Sequence, residues 1–288
     1  MVDITNRFLD RDAFIDIYGI LSNHRWAEGM EHKLINIWEL CSESDERKLM
    51  KELCDKFFVL DSSSQKLACN KINDYIASEK LTPDSTILVS VADVGKVDGS
   101  LAGLQSLEQN IEPVGDWEKC FVSHIPDLIG RINESVRNII IFDDFIGSGQ
   151  KISKKYAWLS QQLKVNSLGI ENFNIYIISF SAMNSGLNVI ENDLCVKFFT
   201  ANKFDKGISV GSDSSSIKNK IEIMLKIESR LNETYKNRKI KNYSLGYEKS
   251  EALYYWEGYS CPNNVFPIFW WPELKNNKKH STLFVRSG

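Results

Sequence analysis

Hydrophobic and polar positions change their period near residue 83. Before that point the chain has no proline, and apolar residues recur three and four apart: Phe14, Ile17, Tyr18 and Leu21, then Met30, Leu34, Ile37, Trp38 and Cys41, then Leu67, Ile72, Tyr75 and Ile76. The third set follows Ser62-Ser63-Ser64, residues suited to capping a helix. Each set predicts an amphipathic helix with one face packed on something else. Residues 1–83 are therefore expected to be a helical region, either a cap on the rest of the chain or a small winged-helix-like or bundle module.

From Thr86 onward the pattern becomes apolar runs of strand length alternating with helical stretches. Strands are predicted at Thr86 to Ala92, from Asn138, at Asn174 to Phe180 and at Cys195 to Thr200. Helices are predicted through Leu101, Leu104 and Leu107, through Ile125, Leu128, Ile129 and Ile132, and from about Gln150. This alternation predicts an α/β domain with a mostly parallel sheet over residues 84–288. Beyond Ser214, the residues Ile217, Ile221, Leu225 and Leu231 predict a long helix leading into the basic stretch Arg230 to Lys241, where Tyr235 and Tyr243 are interleaved. That stretch is read as a solvated helix end and loop in preference to a nucleic-acid contact.

The segment Ala252 to Pro272 holds three of the seven tryptophans and half of the six prolines. It is too irregular for a helix and too aromatic to be left in water. It predicts a hood over the mouth of the sheet. In that hood, Asn263 and Asn264 of a Pro-Asn-Asn turn would read a polar ligand edge, and Phe269, Trp270 and Trp271 would form a stacking wall or seal the core against the amino-terminal helices.

Composition narrows the class. With 288 residues, 43% hydrophobic, 25% charged and a net charge of −3, the chain is an ordinary globular one and not a globally basic nucleic-acid binder. Its apolar runs are far shorter than a membrane span and its amino terminus lacks the layout of a signal peptide, so a cytoplasmic protein with no membrane partner is expected. Six scattered cysteines with no Cys-x-x-Cys pair predict reduced, packed thiols. His24 and His32 fit no common metal spacing.

The most specific chemistry lies in Asn138-Ile-Ile-Ile-Phe-Asp-Asp-Phe-Ile-Gly-Ser-Gly-Gln-Lys151. An apolar run puts Asp143 and Asp144 at the carboxyl end of a buried strand, where open α/β sheets bind ligands, and Ile146, Gly147, Ser148, Gly149, Gln150 and Lys151 then turn into a helix. Carboxylates accept from ribose hydroxyls, while backbone N–H groups and the helix dipole hold a phosphate. A Walker A loop fails because Gln150 stands where its lysine should be, and a dinucleotide fingerprint fails for want of a third glycine.

This stretch resembles the ribose-5-phosphate signature of type I phosphoribosyltransferases. With the Pro-Asn-Asn turn, the Phe-Trp-Trp that follows it and Leu283-Phe-Val-Arg286, roughly residues 84 to 286 look like the phosphoribosyltransferase-like proteins of bacterial conflict systems, which include retron-associated anti-phage effectors. The resemblance implies that phosphoribosyl pyrophosphate (PRPP) or another nucleotide-like molecule is bound, with Asp143 and Asp144 orienting the ribose and contacting a metal indirectly. It also implies that the loop after the first core strand, with Asp93, Lys96 and Asp98, takes the pyrophosphate. Asp93 and Asp98 depart from the family's pattern and would repel a diphosphate unless Mg²⁺ lay between them. No counterpart of the long mobile loop of the biosynthetic enzymes is evident. Three roles follow: an effector acting at the anomeric carbon, a non-catalytic nucleotide-sensing subunit, or a nucleic-acid-binding scaffold. The last two would work beside a reverse transcriptase–nucleic acid complex or another defence-system partner.

Overall fold

Ile139, Ile140, Ile141 and Phe142 are fully buried in the middle of a five-stranded parallel sheet, as a bare apolar run requires. The computed structural model describes residues 10–95, 98–113, 115–211 and 213–287. In chain order its main elements are α1 (Arg11–Asn23), α2 (Glu31–Glu39), α3 (Ser44–Asp55), β1 (Phe58–Leu60), α4 (Ser62–Ser78), β2 (Thr86–Ser90), α5 (Gly99–Glu108), β3 (Phe121–Val122), α6 (Ile125–Ile129), β4 (Asn138–Ile146), α7 (Gln150–Val165), β5 (Asn174–Met183), α8 (Asn184–Leu194), β6 (Lys197–Phe204), α9 (Ser214–Glu228), β7 (Thr234–Tyr235), β8 (Arg238–Lys239) and β9 (Tyr254–Trp256).

The chain divides into two compact units. The first, Leu60–Asp205, is the sheet unit, with strand order β3-β2-β4-β5-β6 and every pairing parallel. The register sets Ser90 opposite Phe142, and Asp143 opposite Ser179. Side chains alternate across the sheet. Ile139 and Ile141 join the cluster that contains Leu159 and Leu163 of α7, and Phe142 meets the α5 side, where a side chain on Gly103 would collide with its ring. Strand order reverses between β2 and β4, so the loops after these two strands flank the crevice that open α/β sheets use for ligands.

The second unit joins the described residues before Leu60 to those from Lys206 on, and is called the terminal unit below. The boundary expected at residue 83 is thus displaced. Helix α4 belongs to the sheet unit, where Tyr75 stacks on Phe199 at 4.6 Å and Lys71 Nζ donates to the carbonyl of Ala201 at 3.0 Å. The aromatic carboxyl-terminal segment instead shares a core with the amino-terminal helices: Phe57 lies 5.3 Å from Phe269 and 4.7 Å from Phe284, and Trp26 lies 6.0 Å from Phe284, ring to ring. Both parts contribute a strand to one small sheet, β1-β9, with Phe58 N donating to Leu253 O at 3.0 Å. Such rings fill large volumes at little entropic cost, and this lets an irregular segment form a core.

Two expected surfaces differ. In α1 the buried face is Ala13, Ile17 and Ile20, while Phe14 and Tyr18 are exposed and stack on each other, so the apolar stripe lies about one position away from that expected. In the basic stretch, Arg230 is held by Glu46 through paired contacts of 2.8 and 2.6 Å, and β7 and β8 form a hairpin. Tyr235 and Tyr243 meet Trp271 and Trp270 edge-on, so both tyrosines pack on tryptophans of their own unit. No helix among the described residues is long and apolar enough to cross a membrane.

Candidate functional site

The site builds from β4 upward. Period-two alternation sends Asp143 to the face covered by α7 and Asp144 to the face covered by α5. Asp143 is buried, and its Oδ1 accepts from Lys151 Nζ at 3.1 Å. Asp144 lies hard against Gly99, the first residue of α5, where any Cβ would overlap its carboxylate. Asp98 caps α5, accepting from Ser100 N at 2.9 Å and Ser100 Oγ at 2.8 Å, and its Oδ2 lies 3.0 Å from Lys151 Nζ. One carboxylate oxygen from each of Asp98, Asp143 and Asp144 falls within 4.8 Å of the others.

Gly149, at φ +79°, makes the turn from β4 into α7, a backbone conformation that a side chain would strain. It brings no side-chain cap to the helix. Among the described residues, the N–H groups of Gly147, Ser148 and Gly149 have no backbone acceptor. Ile146, Gly147 and Gly149 are buried, Ser148 and Gln150 are half-buried, and Lys151 is exposed. Unpaired N–H groups at a helix amino terminus suit an anion.

Electrostatics follow from crowding. Burial pushes the Asp143 carboxyl up, and Asp98 adds to this against the pull of Lys151. Burial and then repulsion from Asp143 raise Asp144 well above the ordinary aspartate range. At Asp98 burial is outweighed by the Lys151 charge and the Ser100 hydrogen bonds, and the carboxyl is lowered. Burial would lower Lys151, yet the charges of Asp143, Asp144 and Asp98 dominate and hold it firmly protonated.

The sequence-predicted residues thus divide. Asp98, Asp143, Asp144 and Lys151 converge, with the 147–149 loop at the same strand end. Asp93 pairs instead with Lys155, at 2.6 Å, so two lysines one turn apart on α7 reach two carboxylates of the loop after β2. Lys96 lies outside the described residues. Asn263 and Asn264 belong to the terminal unit. There the buried Asn264 side chain donates to Ser250 Oγ at 2.9 Å and Tyr247 O at 3.4 Å, and the Asn263 carbonyl accepts from Tyr247 N at 2.8 Å. Sequence reasoning missed Lys155, although its i, i+4 spacing from Lys151 was a usable signal. It also missed Gly99 and Gly186, whose roles depend on neighbours distant in sequence.

No curated protein matches this chain. Among solved structures, similarity extends to orotate phosphoribosyltransferase from Aeropyrum pernix, at 13% identity over 50% of this chain and 72% of that one, with a TM-score of 0.30. The AQ2163 protein from Aquifex aeolicus is 9% identical over 69% of this chain and 87% of its own, with a TM-score of 0.33. Adenine phosphoribosyltransferase from Thermoanaerobacter pseudethanolicus is 14% identical over 47% and 79%, with a TM-score of 0.26. The assignment rests on the family model, which spans both units: with residues 22–286 matched, the chain belongs to the PRTase-CE family.

Proposed function

We propose that the sheet unit binds a ribose 5-phosphate group, as carried by PRPP or a nucleotide, and makes or breaks the bond at its anomeric carbon. One observation carries this reading: Asp143 and Asp144 lie near the carboxyl end of β4, just before a glycine loop whose N–H groups have no backbone acceptor among the described residues and which leads into α7. The carboxylates would accept from the ribose hydroxyls and the loop would hold the 5-phosphate. As the leaving group departs from the anomeric carbon, positive charge grows on the ribose, and the nearby carboxylates favour it. Such a reaction depends on orientation more than on a protein nucleophile.

The donor set at the strand end fits a hard divalent cation, because Asp98, Asp143 and Asp144 offer only oxygen and lie within 4.8 Å of one another. Mg²⁺ held there would offset the negative charge of a leaving diphosphate. A second reading, a nucleotide-sensing subunit without turnover, draws support from Lys151, which already partners Asp98 and Asp143. The setting we propose is an anti-phage defence system of the retron type, supported by the resemblance to conflict-system proteins.

Incubation of the protein with PRPP and a nucleotide pool, followed by mass spectrometry, tests the reading. Release of a free base, or of pyrophosphate with a new ribosyl product, supports catalysis. Binding of ribose 5-phosphate without products supports the sensor, and absence of binding refutes both. Phage challenge of cells carrying the Asp143→Asn, Asp144→Asn pair tests the setting, since protection equal to wild type would count against it.

A further inference from the structure

Lys151 stands in the first turn of α7, where the helix dipole disfavours a cation. It is nevertheless the group that meets Asp98, at 3.0 Å, and the almost fully buried Asp143, at 3.1 Å. Its ammonium therefore lies among the same oxygens that a divalent cation would use. The two cannot share that space, because both are positive and both draw on Asp98 and Asp143.

The lysine is also built to leave. Its side chain is 41% exposed, whereas Lys155, one turn further on, is 11% exposed and held between Asp93 and the ring of Trp158. A flexible four-carbon stem lets the Lys151 ammonium move while its backbone stays in the helix. The start of that helix is where the phosphate would sit, so a displaced ammonium has an anion within reach.

Building on the ribose-phosphate reading above, we infer that Lys151 is a displaceable internal counter-ion. It neutralises Asp98 and Asp143 in the unliganded protein, yields the carboxylates to an entering divalent cation, and moves to the phosphate. Cation and sugar phosphate then bind cooperatively. Lys151 acts as a positioning residue that couples two parts of one site.

The test uses the full chain, Mn²⁺ as metal probe followed by water-proton relaxation, and ribose 5-phosphate followed by calorimetry. In wild type, saturating ribose 5-phosphate should tighten Mn²⁺ binding by about fivefold or more, and Mn²⁺ should tighten ribose 5-phosphate by the same factor, as linkage demands. This measurement needs no variant, so it stands even if a substitution impairs folding. Lys151→Gln should bind Mn²⁺ alone about tenfold more tightly and lose the coupling, while Lys151→Arg, which keeps the charge, should bind the metal as weakly as wild type. Mn²⁺ affinity in Lys151→Gln no higher than in wild type, or coupling that survives the substitution, overturns the inference and leaves the ribose-phosphate reading intact. Failure of wild type to bind ribose 5-phosphate at all overturns both.

Discussion

Gly149 and Gly186 meet backbone to backbone, where the turn into α7 touches the first turn of α8. A Cβ on Gly149 would stand 2.6 Å from the carbonyl oxygen of Gly186, and one on Gly186 would collide with the carbonyl oxygen of Gly147. The shape of the 147–149 loop therefore depends on a glycine 37 positions further along the chain than Gly149. Neither contact tolerates a methyl group, and backbone atoms cannot move aside as a flexible side chain would.

Gly186→Ala should accordingly destabilise the sheet unit by about 1–3 kcal/mol, the usual range for overpacking, and displace the loop. Urea unfolding gives the first quantity. Loss of ribose 5-phosphate protection against thermal unfolding gives the second. Gly149→Val should have the larger effect, since it adds left-handed strain and a β-branched side chain to the same collision. A Gly186→Ala protein with wild-type stability and ligand protection would contradict this account of the loop.

The pH response of Asp144 has a definite sign. Its folded-state carboxyl is raised by burial and by Asp143, so the folded protein prefers the protonated form. Stability from this group is present below the ordinary aspartate value of 3.8 and is lost as pH rises through the raised folded value. Asp144→Asn mimics the neutral form. It should raise the melting midpoint at pH 8 and flatten the fall of stability with pH, while weakening binding of Mn²⁺ and ribose 5-phosphate. Opposite signs for stability and binding in one variant are the expected mark of a residue retained for its ligand.

Glu228 makes a parallel case in the terminal unit. It is buried at the end of α9, its carboxylate accepts from Ser244 Oγ at 2.6 Å and Leu245 N at 3.1 Å, and burial pushes it from 4.5 up to about 7. Folded chains therefore hold this proton more tightly than unfolded ones. Stability should decline between pH 4.5 and about 7 by on the order of 3 kcal/mol, at roughly 1.4 kcal/mol per pH unit between the two values. Glu228→Gln keeps an acceptor for Leu245 N–H and should remove that decline. Denaturant midpoints taken at pH 5 and pH 8 for both proteins provide the check, and equal slopes would refute it.

Trp270 is 2% exposed, donates from Nε1 to Val265 O at 2.9 Å and carries the Arg286 guanidinium over its ring at 5.4 Å. Trp270→Ala should leave a large cavity and cost about 3–5 kcal/mol, read from urea unfolding of the terminal unit. A loss below about 1 kcal/mol would mean that the ring does not hold this core together.

The sequence alone was enough to place Asp143 and Asp144 towards the carboxyl end of a buried strand, which runs on to Ile146, and Gly149 at the turn into a helix. Those features are local: four apolar residues in succession, two carboxylates and a small-residue turn constrain the backbone wherever the strand is placed. Three of the four α-helices described before residue 83 were legible for the same reason, since a periodic stripe declares its own element, whereas α3, whose twelve residues include seven charged ones, was not foreseen. Which side of α1 is buried was not, because Phe14 and Ile20 satisfy the same period within one position and only the packed neighbours choose between them. The grouping of α4 with the sheet, the shared core of Phe57 with Phe269 and Phe284, and the commitment of Asn264 to Ser250 were decided by contacts between distant residues. So was the meeting of Asp98 and Lys151 with Asp143. Their separation in sequence carries no information about distance until the strand order brings the loops after β2 and β4 to one end of the sheet, where opposite charges crowded out of water must pair.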